Sequence, residues 1–154
     1  LHDALPIYIK TLESMRQPIK DQQKQLEDDL ATLAKMQAHP GAQGQSLSFG
    51  FAMHTFDETA WKTAQTTGAF AYMPYADASR YADAYTGPDQ FVQMERDVIE
   101  EVVRATSMTS VQPDDWRPTP AQIDDLRNRI GVLKMRLYLL NSFMDALDNS
   151  YRKV

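Results

Sequence analysis

The chain contains no cysteine among its 154 residues, and it has only three histidines. The absence of cysteine excludes disulfide bonds, thiol catalysis and zinc sites built from cysteine ligands. The histidines are isolated, so the HExxH pattern and paired histidine ligands on one helix face are also missing. No apolar run approaches the roughly 18 residues that a membrane-spanning helix requires. We therefore expect a protein that is not an enzyme and that has neither a metal nor another cofactor.

The charge balance is acidic, with 16 lysine and arginine residues against 21 aspartate and glutamate residues. This balance argues against nucleic acid as a partner, because phosphates bind to basic surfaces. The excess lies wholly in residues 40–118, which we interpret as a solvated face; the alternative is a surface that attracts a cationic partner. Neighbours such as Asp28 and Asp29 point about 100° apart on a helix, so we expect surface charges rather than catalytic dyads.

The first seven residues, LHDALPI, match the translation of a common short-read sequencing adapter. Pro6 makes the stretch a poor helix, since proline lacks a backbone donor, and the basic and apolar regions of a signal peptide are missing. We interpret residues 1–7 as a non-native scar, with a genuine irregular N-terminus as the alternative. On this interpretation the natural sequence starts at Tyr8, and an upstream segment of the protein is absent.

Residues 8–39 carry apolar side chains at heptad spacing, which lines one face of a helix. Charged residues lie mostly off this seam. Pro18 should kink the helix or start a new one, because its ring opposes the carbonyl four residues earlier. The positions seven apart are Leu12, Ile19, Leu26 and Leu33.

Residues 119–152 give the most specific structural signal in the chain. Thr119 can cap a helix, Pro120 suits its first position, and Gln122 can complete a capping box. The apolar residues that follow keep a three–four rhythm without a break, which is typical of a helix packed in a bundle. They are Ile123, Leu126, Ile130, Leu133, Leu137, Leu140, Met144, Leu147 and Tyr151.

The middle of the chain, residues 40–118, predicts a small head of short helices. Apolar and polar residues alternate over residues 47–54, and we expect this extended piece to hold its aromatic side chains against the helices. A short helix is expected within residues 55–68. Pro88 should break or kink the helical run that follows, and Asp89 is a plausible cap for a helix that starts after it.

These segments together predict an all-α fold, an elongated antiparallel helical hairpin or bundle with a small helical head. The two terminal helices would each contain about 30 residues and measure about 45 Å. We expect them to pack against each other within one domain of residues 8–154. The alternative is that each forms a coiled coil with another molecule.

Aromatic residues cluster in the predicted head. Such rings line small-ligand pockets or stack on bases, but the acidic surroundings argue against bases. The alternative is a core patch whose hydroxyl groups reach partners at its rim. The candidate ligand-binding residues are Trp61, Phe70, Tyr72, Tyr81 and Tyr85, and Tyr75 lies in the same stretch.

The segment from Trp61 to Phe70 follows the pattern W-x(6)-G-A-[FL], and Met73 and the run Tyr81-Ala82-Asp83-Ala84-Tyr85 come after it. In this pattern, and over residues 8–152, the chain resembles a group of uncharacterised bacterial proteins. Those proteins have an N-terminal membrane helix, a heptad-rich helix, a central segment and a long C-terminal helix. The resemblance implies a membrane anchor upstream of Tyr8 and brings no active site with it.

We therefore expect a non-enzymatic helical scaffold or interaction domain, held at a membrane by an upstream segment. A partner protein or a second copy of the chain would bind through the helical faces, and nucleic acid would not bind. The alternative function is small-ligand sensing, with the aromatic cluster as the pocket and the long helices as transmitters. A cavity lined by Trp61, Tyr72, Tyr81 or Tyr85 would favour sensing.

Overall fold

The computed structural model describes residues 4–41 and 46–153. None of these residues lies in a β-strand, and the predicted all-α bundle is confirmed. The described residues form four α-helices and one short 3₁₀ helix, namely α1 (Leu5–Ala38), α2 (Thr59–Thr66), the 3₁₀ helix (Ala69–Tyr72), α3 (Tyr75–Ser107) and α4 (Pro120–Tyr151).

The first and last long helices pair with each other in opposite directions. Arg16, near the start of α1, contacts Asp145, near the end of α4, at 2.6 Å. Arg127, near the start of α4, donates a hydrogen bond at 2.9 Å to Gln37, near the end of α1. The predicted antiparallel packing of the two terminal helices is therefore confirmed.

Helix α4 also packs against α3, again antiparallel, so it is the shared neighbour of both other long helices. Arg136 of α4 contacts Asp97 of α3 at 3.4 Å, and Arg129 contacts Glu101 at 3.6 Å. Its whole predicted apolar series is buried, and each large aliphatic side chain contributes about 1.5–3 kcal/mol on burial. The buried residues of α4 are Ile123, Leu126, Ile130, Leu133, Leu137, Leu140, Met144, Leu147 and Tyr151.

Helix α3 is one unbroken helix of 33 residues, so the predicted break at Pro88 and the predicted cap at Asp89 are wrong. Gly87 and Pro88 are both buried. A Cβ atom on Gly87 would lie 2.1 Å from Cδ2 of Leu147, so this α4 side chain packs directly on the α3 backbone. The burial offsets the cost of about 3 kcal/mol for a proline inside a helix. The short elements of the expected head are therefore only α2 and the 3₁₀ helix.

Helix α1 runs from Leu5 to Ala38 without a break, so no new helix starts at Pro18. It begins before the expected Tyr8, because Pro6 lies in the first turn, where backbone N–H groups have no partner within the helix. The side chain of Leu5 is buried in the core. The adapter interpretation of residues 1–7 stays a prediction, and residues 1–3 are outside the described part of the chain.

Residues 46–58, which we name the strap, return the chain along the bundle without forming a helix or a strand. Near one end Ser48 contacts Asp29, and near the other Asp57 contacts Tyr8. The strap thus covers with nine residues the length of 21 residues of α1, about 32 Å. This needs about 3.5 Å per residue, a nearly fully extended chain. Its predicted contacts are confirmed for Leu47, Phe49 and Phe51, which pack against the core together with Phe56. The predicted alternation is wrong beyond Phe51, because Met53 is 44% exposed and His54 is half-buried instead.

The helix ends follow local chemistry. Thr119 and Gln122 form the predicted capping box, with reciprocal hydrogen bonds of 2.9 and 3.3 Å. Asp57 accepts a hydrogen bond from the backbone N–H of Thr59 at the start of α2. Gly68 follows α2 with a φ of 68°, a left-handed conformation that favours glycine and stops the helix, as predicted.

Replacing Gly87 by alanine tests the close contact between α3 and α4. We expect Gly87→Ala to lower the free energy of unfolding by about 1–3 kcal/mol, because the added methyl group overlaps the Leu147 side chain. Urea denaturation followed by circular dichroism measures the change. Combining it with Leu147→Ala should cost less than the sum of the two single changes, because the shortened side chain leaves room.

The matched control is Gly131→Ala in α4, where an added Cβ has no atom within 4 Å. We expect this change to stabilise the protein by about 0.5–1 kcal/mol, because alanine is the better helix former. Equal stabilisation by the two substitutions would contradict the contact at Gly87.

Candidate functional site

Three of the five predicted ligand-binding residues contact one another at the end of the bundle where α1 begins. The ring of Trp61 stacks on that of Tyr85, with centroids 5.0 Å apart and planes 4° from parallel. Phe70 lies 4.8 Å from Trp61. Tyr81 is half-buried against the core, whereas Tyr72 is 91% exposed and does not join the group. The structure thus brings together Trp61, Phe70 and Tyr85.

The same aromatic group extends into the core through residues that sequence reasoning missed. Tyr8 lies 5.2 Å from Tyr85, 5.6 Å from Tyr151 and 5.3 Å from Phe56 of the strap. Phe56 in turn meets Phe91 of α3 edge to face. Rings from α1, the strap, α2, the 3₁₀ helix, α3 and α4 therefore meet here, and only their packing reveals the group, because the residues are far apart in sequence.

Burial shifts the pKa of the tyrosine hydroxyl groups in this cluster. Burial raises the pKa of Tyr85 to about 12. Burial also raises the pKa of Tyr8 and that of Tyr151 well above the ordinary value for tyrosine. The Tyr8 hydroxyl donates to the backbone carbonyl of Asp57 at 2.5 Å, which fixes the strap to α1. These phenols remain protonated near neutral pH and serve packing; among the described residues the buried hydroxyl of Tyr151 has no hydrogen-bond partner.

Four cavities among the described residues are lined by side chains other than the predicted ligand-binding ones. One of about 380 Å³ lies at the opposite end of the bundle, between the end of α1 and the connection from α3 to α4. Met36, His39, Trp116 and Arg117 are among its lining residues. It is mixed in polarity and does not adjoin the Trp61 stack.

Two buried carboxylates anchor the strap to the helices on either side of it. Asp29 of α1 is 1% exposed and accepts a hydrogen bond from the backbone N–H of Ser48 at 3.1 Å. Glu95 of α3 is fully buried, and its oxygens accept from the backbone N–H of His54 at 3.1 and 3.2 Å. Nδ1 of His54 lies 3.0 Å from the same carboxylate. Burial raises the pKa of both Asp29 and Glu95.

The expectation that Asp29 is a surface charge is therefore wrong. A signal for its burial exists in the sequence, because the three–four rhythm of the α1 seam passes from Leu26 to Asp29 and then Leu33. Leu30, the apolar residue next to Asp29, is only half-buried. A polar residue on a buried seam needs a hydrogen-bond partner, and the strap supplies one.

The side of α4 opposite its buried stripe is also apolar in the middle of the helix. Met135 is 58% exposed, Tyr138 61% and Leu139 49%. Beside them, α1 and α4 form an open groove of about 630 Å³, to which α1 contributes Leu30 and Ala34. We name the exposed residues on this side the outward face, and they are Asp124, Asn128, Gly131, Val132, Met135, Tyr138, Leu139, Ser142, Ala146, Asn149 and Lys153.

Within residues 4–41 and 46–153, no three histidine, aspartate or glutamate side chains come close enough together to hold a metal ion. No helix in these ranges combines the length and apolar character that crossing a bilayer requires. Comparison with protein-family models, with curated proteins and with solved structures finds no match for this chain.

The tyrosines at positions 85 and 72 offer a matched test of the aromatic group. We expect Tyr85→Ala to lower the free energy of unfolding by about 3–5 kcal/mol, because the buried ring loses its stack and leaves a cavity. Tyr72→Ala should change it by less than about 0.5 kcal/mol, since that ring is in solvent. Urea denaturation of both variants measures the difference, and similar losses would contradict this packing.

Replacing Glu95 by glutamine tests the buried anchor through its pH dependence. Burial raises the pKa of Glu95 from its ordinary value of 4.5, so the folded state binds the proton more tightly than the unfolded state. This carboxyl therefore stabilises the fold most when protonated, and the contribution is lost as the pH rises from 4.5 through the folded-state pKa. Glutamine keeps the shape without ionising, so the variant should gain stability relative to the natural protein over this interval.

Urea denaturation in steps from about pH 4 to pH 8 measures this difference across the carboxyl and imidazole ranges. Glu100→Gln, at an exposed glutamate on the same helix, is the matched control and should show no such gain. Repeating both measurements in a His54→Asn background separates the carboxyl from the neighbouring imidazole. A pH-independent difference for Glu95→Gln would argue against burial of this carboxylate.

Proposed function

We propose that this chain is a non-enzymatic helical interaction domain that binds a partner protein through the outward face of α4. The observation that carries the proposal is the exposure of Met135, Tyr138 and Leu139 on one side of a helix whose other side fills the core. Single exposed apolar residues are ordinary, whereas a contiguous apolar patch is typical of an interaction surface. Tyrosine and methionine are also enriched at protein interfaces.

The groove beside this face suits an incoming helix. Met135, Tyr138 and Leu139 are three and four positions apart, the spacing that helix-in-groove recognition uses. Gly131 has no side chain, and Ala34 across the groove has a small one, so a partner backbone can approach closely. The geometry therefore supports a helical partner better than a loop or an extended peptide.

As the resemblance to membrane-anchored bacterial proteins implies, we further propose that a segment upstream of Tyr8 holds the domain at a membrane as a scaffold. The sensing alternative needs an open pocket at the aromatic group. There Trp61 and Tyr85 stack on each other, and Tyr8 covers the other side of the group. This packing makes interaction through helical faces the better-supported function.

Site-specific photo-crosslinking tests the interaction role. A photoreactive amino acid at position 138, in the full-length protein in its native cell, should give a discrete crosslinked protein species. The same residue at Lys24, exposed on α1 away from the groove, is the control and should give at least about fivefold less of that species, because specific contacts concentrate in one patch.

A second change checks that the apolar surface is responsible. Met135→Lys should strongly reduce the adduct from position 138, because the new charge must lose its water to enter the interface. The fold should be unaffected, as Met135 is exposed, and circular dichroism verifies this. Equal yields from positions 138 and 24, or adducts insensitive to Met135→Lys, would refute an interaction role for this face.

A further inference from the structure

We propose that the occupant of the outward face is a second copy of this chain, with the two α4 helices packed antiparallel about a two-fold axis that passes between Tyr138 and Leu139. This inference rests on the proposed interaction role and names the partner. It follows from the order of residues along the outward face. When two copies of the face run antiparallel, the residues at its ends lie opposite residues of the other charge, and most others lie opposite residues of complementary size.

The charged residues of the outward face stand only at its two ends and have opposite signs. An axis between Tyr138 and Leu139 places Asp124 of one copy opposite Lys153 of the other, and symmetry repeats this pair at the far end. Both side chains are exposed, and Lys153 lies in the turn that directly follows the end of α4 at Tyr151. Asp124 also contacts Arg127 of its own helix at 3.5 Å, but it stays 65% exposed and can accept a second partner. The opposite charges favour antiparallel α4 helices, because a parallel pair would set aspartate against aspartate and lysine against lysine.

The uncharged residues between these ends complement each other in size under the same axis. Gly131 falls opposite Ala146, and Met135 falls opposite Ser142. Val132 falls opposite Asp145, which keeps its ion pair with Arg16 of its own chain. Small residues allow helix axes to approach to about 8–10 Å. At the axis itself, Tyr138 meets Leu139 of the second copy, which joins the most exposed apolar side chains of both chains.

The polar residues of the face also find partners. Asn128 falls opposite Asn149 of the second copy, and paired amides can hydrogen-bond to each other. A face that is apolar at its centre, amide-bearing further out and oppositely charged at its ends has the arrangement of a specific interface, with an apolar core and a polar rim. A two-fold dimer is also the commonest symmetric assembly, because one self-complementary patch serves both copies.

The absence of cysteine makes this arrangement directly testable in the intact chain. With a short thiol-specific crosslinker, Leu139→Cys should form a covalent dimer, because position 139 lies beside the axis. Asn128→Cys alone should not, since its two copies would be about 30 Å apart along the helices. Mixing Asn128→Cys with Asn149→Cys should restore the crosslink, and Lys24→Cys on α1 is the negative control.

Charge exchange provides an independent measurement by sedimentation equilibrium at low salt. Asp124→Lys and Lys153→Asp should each weaken the dimer by about threefold or more, as expected for exposed ion pairs. The double variant should return to nearly the natural dissociation constant, because each pair is restored with its signs exchanged. If the double variant weakened the dimer by the sum of the effects of the two single variants, the proposed pairing would be overturned.

The outcomes separate this inference from the function on which it rests. Crosslinking of Asn128→Cys to itself would overturn the antiparallel axis. Photo-adducts at position 138 that contain a different protein, together with a monomeric chain in solution, would overturn the second copy as occupant while supporting the interaction role. A monomeric chain without any specific adduct at position 138 would overturn both.

Discussion

Burial of the apolar stripe of α4 between α1 and α3 holds the bundle together. Both neighbours run antiparallel to α4, and each covers part of the same stripe. Because one helix serves two partners, displacing either neighbour would expose apolar surface and cost about 25 cal/mol per Å². The ion pairs along the seams, such as Arg16 with Asp145, are partly exposed and weak, up to about 1 kcal/mol each. They select direction and register more than they stabilise.

The strap packs against the core that the three long helices form. An extended chain without a neighbouring strand has backbone N–H groups that need partners, and the buried carboxylates of Asp29 and Glu95 supply two of them. Burying a carboxylate is costly, and the raised pKa of each group reflects this. These hydrogen bonds hold the strap to α1 at Ser48 and to α3 at His54.

Helix α4 has two apolar sides, and only one is used within the chain. The buried side makes the fold, and the exposed side, centred on Met135, Tyr138 and Leu139, is the basis for the proposed interaction role. The aromatic group at the end of the bundle where α1 begins differs from this exposed face, since its rings contact each other across six elements of the chain. A sequence rich in aromatics thus suggested a pocket where the packing favours a core.

The sequence by itself determined the features that depend on neighbours within one or two helical turns. It specified the buried stripe of α4, the capping box at Thr119, the stop at Gly68 and the inward contacts of Leu47, Phe49 and Phe51 in the strap, because periodicity and capping are local. Tertiary structure alone decided the continuity of α3 through Pro88 and the burial of Asp29. Both depend on contacts with distant parts of the chain, Leu147 for the first and the strap for the second. Local pattern cannot reveal these contacts, because the compensating partner lies tens of residues away or on an element whose position is not yet known.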